Sequence, residues 1–268
     1  MGAMGAGLGA CGGGDDDPPA AEEADAAELT EASPPPEEAG LEPVEAGIDA
    51  RPDARPRSYC AKLTPAPRFC DDFDDGDVAD DWAVLTVLNG AADLDTSTST
   101  SAPASFAVAT LPVSGTQSAH VHLRTTANGA PAGHVVLSFD LMLETATFTQ
   151  GVVAIATLDV SANHFFTLYL RDGDPDAPAA TLEETSAGGT TRHVLSTLPA
   201  PGAWTRATLD LDLAASTATV RWGAETALDA APIVAGAAKD PTIRIGAVYV
   251  YGPAAPFRAR FDDVTLDF

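Results

Sequence analysis

Basic residues are scarce in this sequence. Its 268 residues contain 14 Lys and Arg against 39 Asp and Glu, which gives a formal net charge of −25. This balance argues against a nucleic-acid partner, because each phosphate contact needs a basic side chain. No run of about 18 apolar residues is present either, so we predict no membrane-spanning helix and expect contact with a membrane only through a lipid anchor.

Aromatic residues are missing from the first part of the chain. All of the 10 Phe, 4 Tyr and 3 Trp lie from Tyr59 onward, whereas residues 1–58 carry 14 acidic residues and 8 of the 21 prolines. A segment of this composition cannot bury enough apolar surface to offset the entropy lost on ordering. We therefore predict that residues 12–58 are a disordered acidic, proline-rich linker and that residues 59–268 form the folded domain.

Several enzyme signatures are also absent. The sequence has no Gly-x-Ser-x-Gly nucleophile elbow and no glycine-rich phosphate loop. Glycoside hydrolysis needs two carboxylates about 5–9.5 Å apart, and the nearest same-face pair, Asp210 and Asp212, is explained by the polar face of an amphipathic strand. We expect a non-catalytic protein, and the alternative is a glycan-active enzyme whose site is assembled from distant loops.

The extreme N-terminus contains the first cysteine in a short motif. Leu8, Gly9 and Ala10 precede Cys11, and this segment resembles the lipobox of bacterial lipoproteins, in which the cysteine is lipidated and becomes the first residue after cleavage. The resemblance implies that residues 1–11 are a signal remnant and that Cys11 is lipidated. The protein would then be an exported outer-membrane or cell-surface lipoprotein, periplasmic or extracellular. The alternative is a Gly/Ala-rich disordered tail.

The two other cysteines, Cys60 and Cys70, are ten residues apart across a proline-containing loop. They could close a disulfide ring that stabilises the fold by about 2–3 kcal/mol in the chain-entropy model. Two cysteines alone do not make a metal site, because such a site needs more ligands. We predict a Cys60–Cys70 disulfide in an oxidising compartment, with two free buried thiols as the alternative.

Downstream of the linker, apolar residues alternate with polar ones, which is the period of a β-strand with one buried face. The alternation is clear in residues 134–143 and 205–213, and residues 152–160 and 165–170 are apolar on both faces, as in central strands. Clusters of Gly, Pro, Asn and Asp separate the runs. We predict an all-β antiparallel sandwich or barrel of about a dozen strands, and we interpret the Ala-rich stretch 224–238 as a loop or one helical turn.

The last strand changes phase. Its apolar residues occupy odd positions in 257–261 and even positions in 264–268. Because a slip of one residue turns every side chain to the other face, all of them can point inward only if a β-bulge lies at Asp262 and Asp263.

Three segments resemble concanavalin A-like lectin/glucanase (LamG-like) jelly rolls: residues 69–76 followed by Trp82, residues 202–222, and residues 261–266. The resemblance implies a jelly-roll β-sandwich whose first and last strands pair, which would bring Phe73 near Phe261. Catalytic members of this fold carry Glu-x-Asp-x-Glu on one strand, and this chain has no such motif. The resemblance therefore implies recognition of glycans or cell-surface polymers, or a purely structural envelope protein.

Carboxylates cluster at the two ends of the predicted domain. If the terminal strands pair, Asp72 and Asp74 lie beside Asp262 and Asp263. Hard cations bind clustered oxygen ligands, and related carbohydrate-binding jelly rolls carry a structural calcium between the matching strands. We predict that these four residues bind Ca²⁺, and the alternative is a solvated acidic edge that discourages edge-to-edge pairing.

A sugar-binding site of lectin type stacks a pyranose on an exposed aromatic ring and fixes it with polar groups. Tyr249 and Tyr251 end a strand beside a Gly-Pro turn, and Trp204 lies at a strand start, out of phase with its neighbours. We predict these three as glycan-binding residues, with core packing as the alternative. Trp222 is in phase with the buried face of its strand and is predicted to be core.

Two histidines share one strand face. His120 and His122 are two residues apart, a spacing that zinc sites use, but no third ligand is identifiable in the sequence. We predict two solvated histidines.

Overall fold

The computed structural model describes residues 58–144, 151–171 and 180–268. These residues form one short helix, α1 (Tyr59–Lys62), and 15 β-strands in two antiparallel sheets. The predicted all-β sandwich is confirmed, with 15 strands instead of about a dozen. No helix among the described residues has the length and apolar character needed to cross a membrane.

The strands follow one another along the chain with short connections. They are β1 (Phe69–Asp71), β2 (Val84–Leu88), β3 (Gly90–Asp95), β4 (Ser105–Thr110), β5 (Ser118–Thr126), β6 (His134–Leu143), β7 (Val152–Ser161), β8 (His164–Arg171), β9 (Ala180–Ser186), β10 (Gly189–Val194), β11 (Thr205–Asp212), β12 (Thr217–Trp222), β13 (Glu225–Pro232), β14 (Thr242–Tyr251) and β15 (Arg258–Asp267).

The chain crosses repeatedly between two sheets. The eight-stranded sheet has the order β13-β12-β11-β6-β15-β4-β3, with β1 also paired to β15, and the seven-stranded sheet has the order β10-β9-β8-β7-β14-β5-β2. Neighbours such as β6 and β15 are far apart in sequence, which is expected when an antiparallel chain builds two facing layers. The core lies between the layers.

Alternating side chains fill this core. In β11, for example, Ala207, Leu209 and Leu211 are buried while the intervening residues are partly exposed. Burial of apolar surface stabilises the fold by roughly 25 cal/mol per Å², so a strand with one apolar face packs with that face toward the core. Trp222 is 4% exposed and belongs to the core, as predicted.

The first and last strands pair as the family resemblance implied. In β1 and β15, Phe69 lies opposite Leu266 and Asp71 opposite Val264. The predicted bulge is present, because the register between β15 and β6 shifts between Asp262 and Thr265.

The rings of Phe73 and Phe261 both pack against Phe106. The centroid of the Phe106 ring is 5.7 Å from that of Phe73 and 6.1 Å from that of Phe261. The two residues therefore belong to one aromatic cluster inside the sandwich.

The interpretation of residues 224–238 as a loop or one helical turn was wrong for residues 225–232, whereas residues 233–237 lie outside any strand or helix. Residues 225–232 form the edge strand β13, which pairs with β12. Two register shifts interrupt this pairing near Val220, so Ala227 and Ala231 face the core without a strict period of two. Alanine has a low β-propensity, and the strand forms because β12 supplies hydrogen-bond partners.

The predicted disulfide is confirmed. The sulfur atoms of Cys60 and Cys70 are bonded, with the two Cα atoms 5.8 Å apart. Cys60 lies in α1, whose first turn is capped by the Ser58 hydroxyl, and Cys70 lies in β1. The ring therefore ties α1 to the eight-stranded sheet.

Candidate functional site

A groove of about 630 Å³ lies on the outer face of the seven-stranded sheet. Its floor comes from four adjacent strands, β8, β7, β14 and β5, and part of its rim from the segment just before β14. Three aromatic residues line it, namely Phe165, Tyr169 and Tyr249. The groove is therefore an open surface that combines ring faces with polar side chains.

A bulge in β14 determines which way its tyrosines face. Ile243 and Ile245 are fully buried, and a strict period of two would send Tyr249 and Tyr251 into the core as well. The register of β14 against β7 shifts between Ile245 and Tyr249, so Val250 is buried instead and both tyrosines reach the outer face. The bulge, rather than the sequence period, creates the aromatic surface.

The two tyrosine rings lie parallel. Their centroids are 5.8 Å apart with an interplanar angle of 8°. Tyr249 is half-buried and lines the groove, while Tyr251 is 41% exposed beside it. Burial and the nearby Tyr251 both raise the pKa of Tyr249, so its hydroxyl stays protonated at neutral pH and can donate a hydrogen bond.

His120 and His122 line the same groove, and the prediction that both are solvated was wrong for His122, which is 9% exposed. His120 packs against Tyr249 with ring centroids 5.4 Å apart, and its Nδ1 donates a hydrogen bond of 2.8 Å to the carbonyl oxygen of Val248. The Nδ1 of His122 is buried and has no hydrogen-bond partner among the described residues.

Burial, together with electrostatic contributions from Arg244, His120 and Arg124, lowers the pKa of His122 to about 4. The imidazole is therefore neutral at physiological pH. A neutral imidazole offers one donor and one acceptor.

Arg244 and Asp159 form an ion pair on adjacent strands of the groove floor. The two guanidinium nitrogens lie 3.0 and 3.1 Å from the two carboxylate oxygens. Each side chain is about a quarter exposed, at 27% and 26%. The pair is a fixed, planar polar surface, because bidentate contacts hold both groups in one geometry.

Trp204 is separate from the tyrosines. It lies just before β11 in the eight-stranded sheet, is half-buried, and its Nε1 donates a hydrogen bond of 3.2 Å to the hydroxyl of Thr98. The structure therefore brings Tyr249 and Tyr251 together and leaves Trp204 outside this groove.

The bulge in β15 buries two adjacent carboxylates, so the expectation of a solvated edge does not hold for them. Asp262 is 0% exposed and accepts hydrogen bonds from the backbone amides of Thr100 and Ser101. Asp263 is 2% exposed and accepts from the Ser101 hydroxyl at 2.7 Å. Burial raises the pKa of Asp262 to about 8 and that of Asp263 to about 7, with neighbouring carboxylates adding to both shifts.

Asp72 and Asp74 are the other two residues of the predicted calcium site. Asp72 Oδ2 accepts the Cys60 amide at 2.8 Å, while Asp74 has one buried carboxylate oxygen without a hydrogen-bond partner. Burial and the charge of Asp72 raise the pKa of Asp74 to about 6. Among the described residues, no three His, Cys, Asp or Glu side chains are grouped so as to hold a metal ion. Calcium binding here stays a prediction.

The predicted lipidation site, Cys11, and the predicted linker up to residue 57 lie outside the described residues. Asp159, Arg244, Phe165 and Tyr169 were not singled out from the sequence. The sequence contains only a weak signal for them. They occupy every second position of largely apolar strands, on the face opposite the core, where polar or aromatic side chains interrupt the apolar run.

The fold is a jelly-roll β-sandwich of the concanavalin A-like type. The solved structures that are similar to it include two with nearly full coverage of their own chains. One, endo-β-1,4-glucuronan lyase from the fungus Trichoderma reesei, has a TM-score of 0.56 and 13% identity and covers 75% of this chain and 95% of its own. The other, the cellulose-induced protein Cip1, has a TM-score of 0.53 and 15% identity, with coverage of 74% and 96%. No family model and no curated protein matches the chain.

Proposed function

We propose that this protein binds a polysaccharide in the groove of the seven-stranded sheet. The observation that supports this most directly is the pair of parallel tyrosine rings at the groove, in which half-buried Tyr249 forms part of the wall and exposed Tyr251 lies beside it. Aromatic faces stack on the apolar face of a pyranose, and adjacent polar groups hydrogen-bond its hydroxyls. The Tyr249 hydroxyl and the partly exposed Arg244–Asp159 pair are such groups.

The similar structures support a carbohydrate ligand without naming one. One of them is a lyase acting on glucuronan, a polysaccharide. Identities of 13% and 15% relate these chains by fold, so the proposal depends on the groove itself.

We also propose that the domain is exported and lipid-anchored through Cys11, with residues 12–58 as a spacer. The Cys60–Cys70 disulfide supports export, because disulfides persist in oxidising compartments. Mass spectrometry of the protein purified from membranes tests the anchor: a diacylglyceryl adduct on Cys11 is expected, and an unmodified cysteine would contradict it.

A glycan array probed with the wild type, the Y249A/Y251A variant and an L111A control tests the binding proposal. Leu111 is 60% exposed and lies outside the groove lining, so its loss removes apolar surface without touching the tyrosines. We expect the tyrosine variant to bind about tenfold more weakly, since stacking contributes roughly 0.5–1.5 kcal/mol per ring. Equal binding by all three proteins would contradict the proposal.

A glycan-cleaving activity is the second candidate. The observation that favours it is that His120, His122 and Tyr249, all able to transfer protons, line one groove. Release of new reducing ends from a polysaccharide that the array identifies, lost in Y249F, would establish this activity. Binding without any such release would leave the non-catalytic function.

A further inference from the structure

The groove has little net charge of its own. Its charged lining residues are Arg244, Lys239, Asp159 and Asp240, two of each sign. Arg244 is engaged by Asp159, and Asp240 accepts the Gly129 amide at 3.0 Å. The imidazole of His122 adds no charge, because it stays neutral above about pH 4.

The ion pair limits what the groove can bind. A sugar carboxylate that bound the remaining N–H groups of Arg244 would lie beside the Asp159 carboxylate, which already neutralises the guanidinium. The two carboxylates would then share the groove, and like charges at such range repel. A hydroxyl group meets no such obstacle, since it can donate to Asp159 and accept from Arg244 without breaking the pair.

The charge of the surrounding domain acts in the same direction. Residues 59–268 carry 25 of the 39 acidic residues and 11 of the 14 basic ones, a net charge of −14. Arg124, opposite Arg244 on the neighbouring strand, is exposed and lies outside the groove lining. A polyanion would be repelled over distances up to the Debye length, about 8–10 Å at physiological salt.

We propose that the groove selects an uncharged, hydroxyl-rich polysaccharide over a uronic-acid polymer, with the Arg244–Asp159 pair as the element that excludes carboxylates. This inference rests on the proposed binding function. It runs against the example of the structurally similar glucuronan lyase, whose substrate is a polyuronate.

The test compares neutral and acidic probes on the intact protein. Binding to xylan, mannan and β-1,3-glucan is measured beside binding to polyglucuronate and alginate by affinity electrophoresis at 20 and 500 mM NaCl, with Y249A defining groove-dependent binding. We expect the wild type to bind a neutral polymer at least tenfold more tightly than either polyuronate at both salt concentrations. We expect D159N, which frees Arg244, to raise the affinity for a polyuronate at least tenfold relative to the affinity for the neutral polymer.

The outcomes separate the two proposals. Tyr249-dependent binding of a polyuronate that equals or exceeds neutral binding in the wild type would overturn the selectivity and leave the binding function intact. Absence of Tyr249-dependent binding to every probe would overturn the binding function, and the selectivity with it. An unchanged polyuronate affinity in folded D159N would overturn the role of the ion pair. If D159N does not fold by circular dichroism, D159S replaces it, and the wild-type comparison decides the selectivity in either case.

Discussion

Gly246 in β14 lies against the backbone of Val121 in β5 so closely that any side chain at position 246 would overlap the Val121 carbonyl oxygen. A Cβ there would also lie 3.0 Å from the Cα of His122. The φ angle of Gly246 is +128°, a conformation that residues with side chains rarely adopt. This glycine lies in the stretch between Ile245 and Tyr249 where the register of β14 against β7 shifts.

The first prediction concerns this glycine. Substitution G246A adds a Cβ in strained backbone and in contact with Val121, and we expect the free energy of unfolding to fall by about 2–4 kcal/mol. The measurement is urea denaturation followed by tryptophan fluorescence. Gly115 is the matched control, because its φ is +60° but nothing lies within 4 Å of the added Cβ. A G246A variant no less stable than G115A would contradict the argument.

The second prediction concerns the pH dependence of stability through His122. Its pKa is about 4 in the folded protein and near 6.5 in the unfolded chain, so the unfolded state binds the extra proton first. Well above pH 6.5 the imidazole is neutral in both states, so His122 does not change the free energy of unfolding. As the pH decreases from 6.5 to 4, this group lowers the free energy of unfolding by about 2 kcal/mol.

Urea denaturation at pH 7.0 and pH 4.5 checks this expectation. The pH-dependent loss should be smaller in H122Q than in the wild type, since glutamine does not titrate. H134Q is the control, because His134 is an exposed histidine on the eight-stranded sheet. Equal losses in the wild type and H122Q would show that His122 does not contribute.

The third prediction concerns the disulfide. The double variant C60S/C70S opens a ring of ten-residue separation, and we expect the free energy of unfolding to fall by about 2–3 kcal/mol. Glycan binding by the folded variant should not change, because the ring is attached through β1 to the eight-stranded sheet and the groove lies on the other sheet. A loss of binding without a loss of stability would contradict this separation.

The fourth prediction concerns calcium at the carboxylates of the terminal strands. If Asp72, Asp74, Asp262 and Asp263 bind Ca²⁺, an ion concentration 100-fold above Kd stabilises the protein by about 2.7 kcal/mol, which raises Tm by roughly 5–10 °C. Thermal melts at pH 8 in calcium chloride and in chelator measure this shift. Identical melting temperatures in both solutions would contradict calcium binding by this protein.

Two variants show where the ion acts. D74N should reduce the calcium-induced shift, because Asp74 has a carboxylate oxygen without a hydrogen-bond partner. D229N should leave it unchanged, since Asp229 is exposed on the edge strand β13. A shift of equal size in both variants would place any calcium elsewhere.

Local patterns were sufficient for much of the architecture. The alternation in β11 predicted a half-buried strand, and the phase change around Asp262 predicted the bulge in β15. The Cys60–Cys70 spacing predicted the disulfide. Each of these inferences uses residues within one strand or one loop, where side-chain facing follows directly from residue order.

The groove could not be predicted in the same way. Arg244 and Asp159 are 85 residues apart in the chain, and they meet because β14 pairs with β7. The outward facing of Tyr249 depends on a bulge that the sequence suggests only through Gly246, and a glycine within a strand can equally mark a bend or the close approach of another backbone.

By itself, the sequence determined that residues 1–58 are acidic and free of aromatic residues and that the rest of the chain forms a β-domain. Composition and a period of two are local properties of the chain, so they can be determined from residue order. Only the tertiary structure decided which polar and aromatic side chains share one surface. Strand order brings distant segments side by side, and one bulge reverses the facing of every residue beyond it.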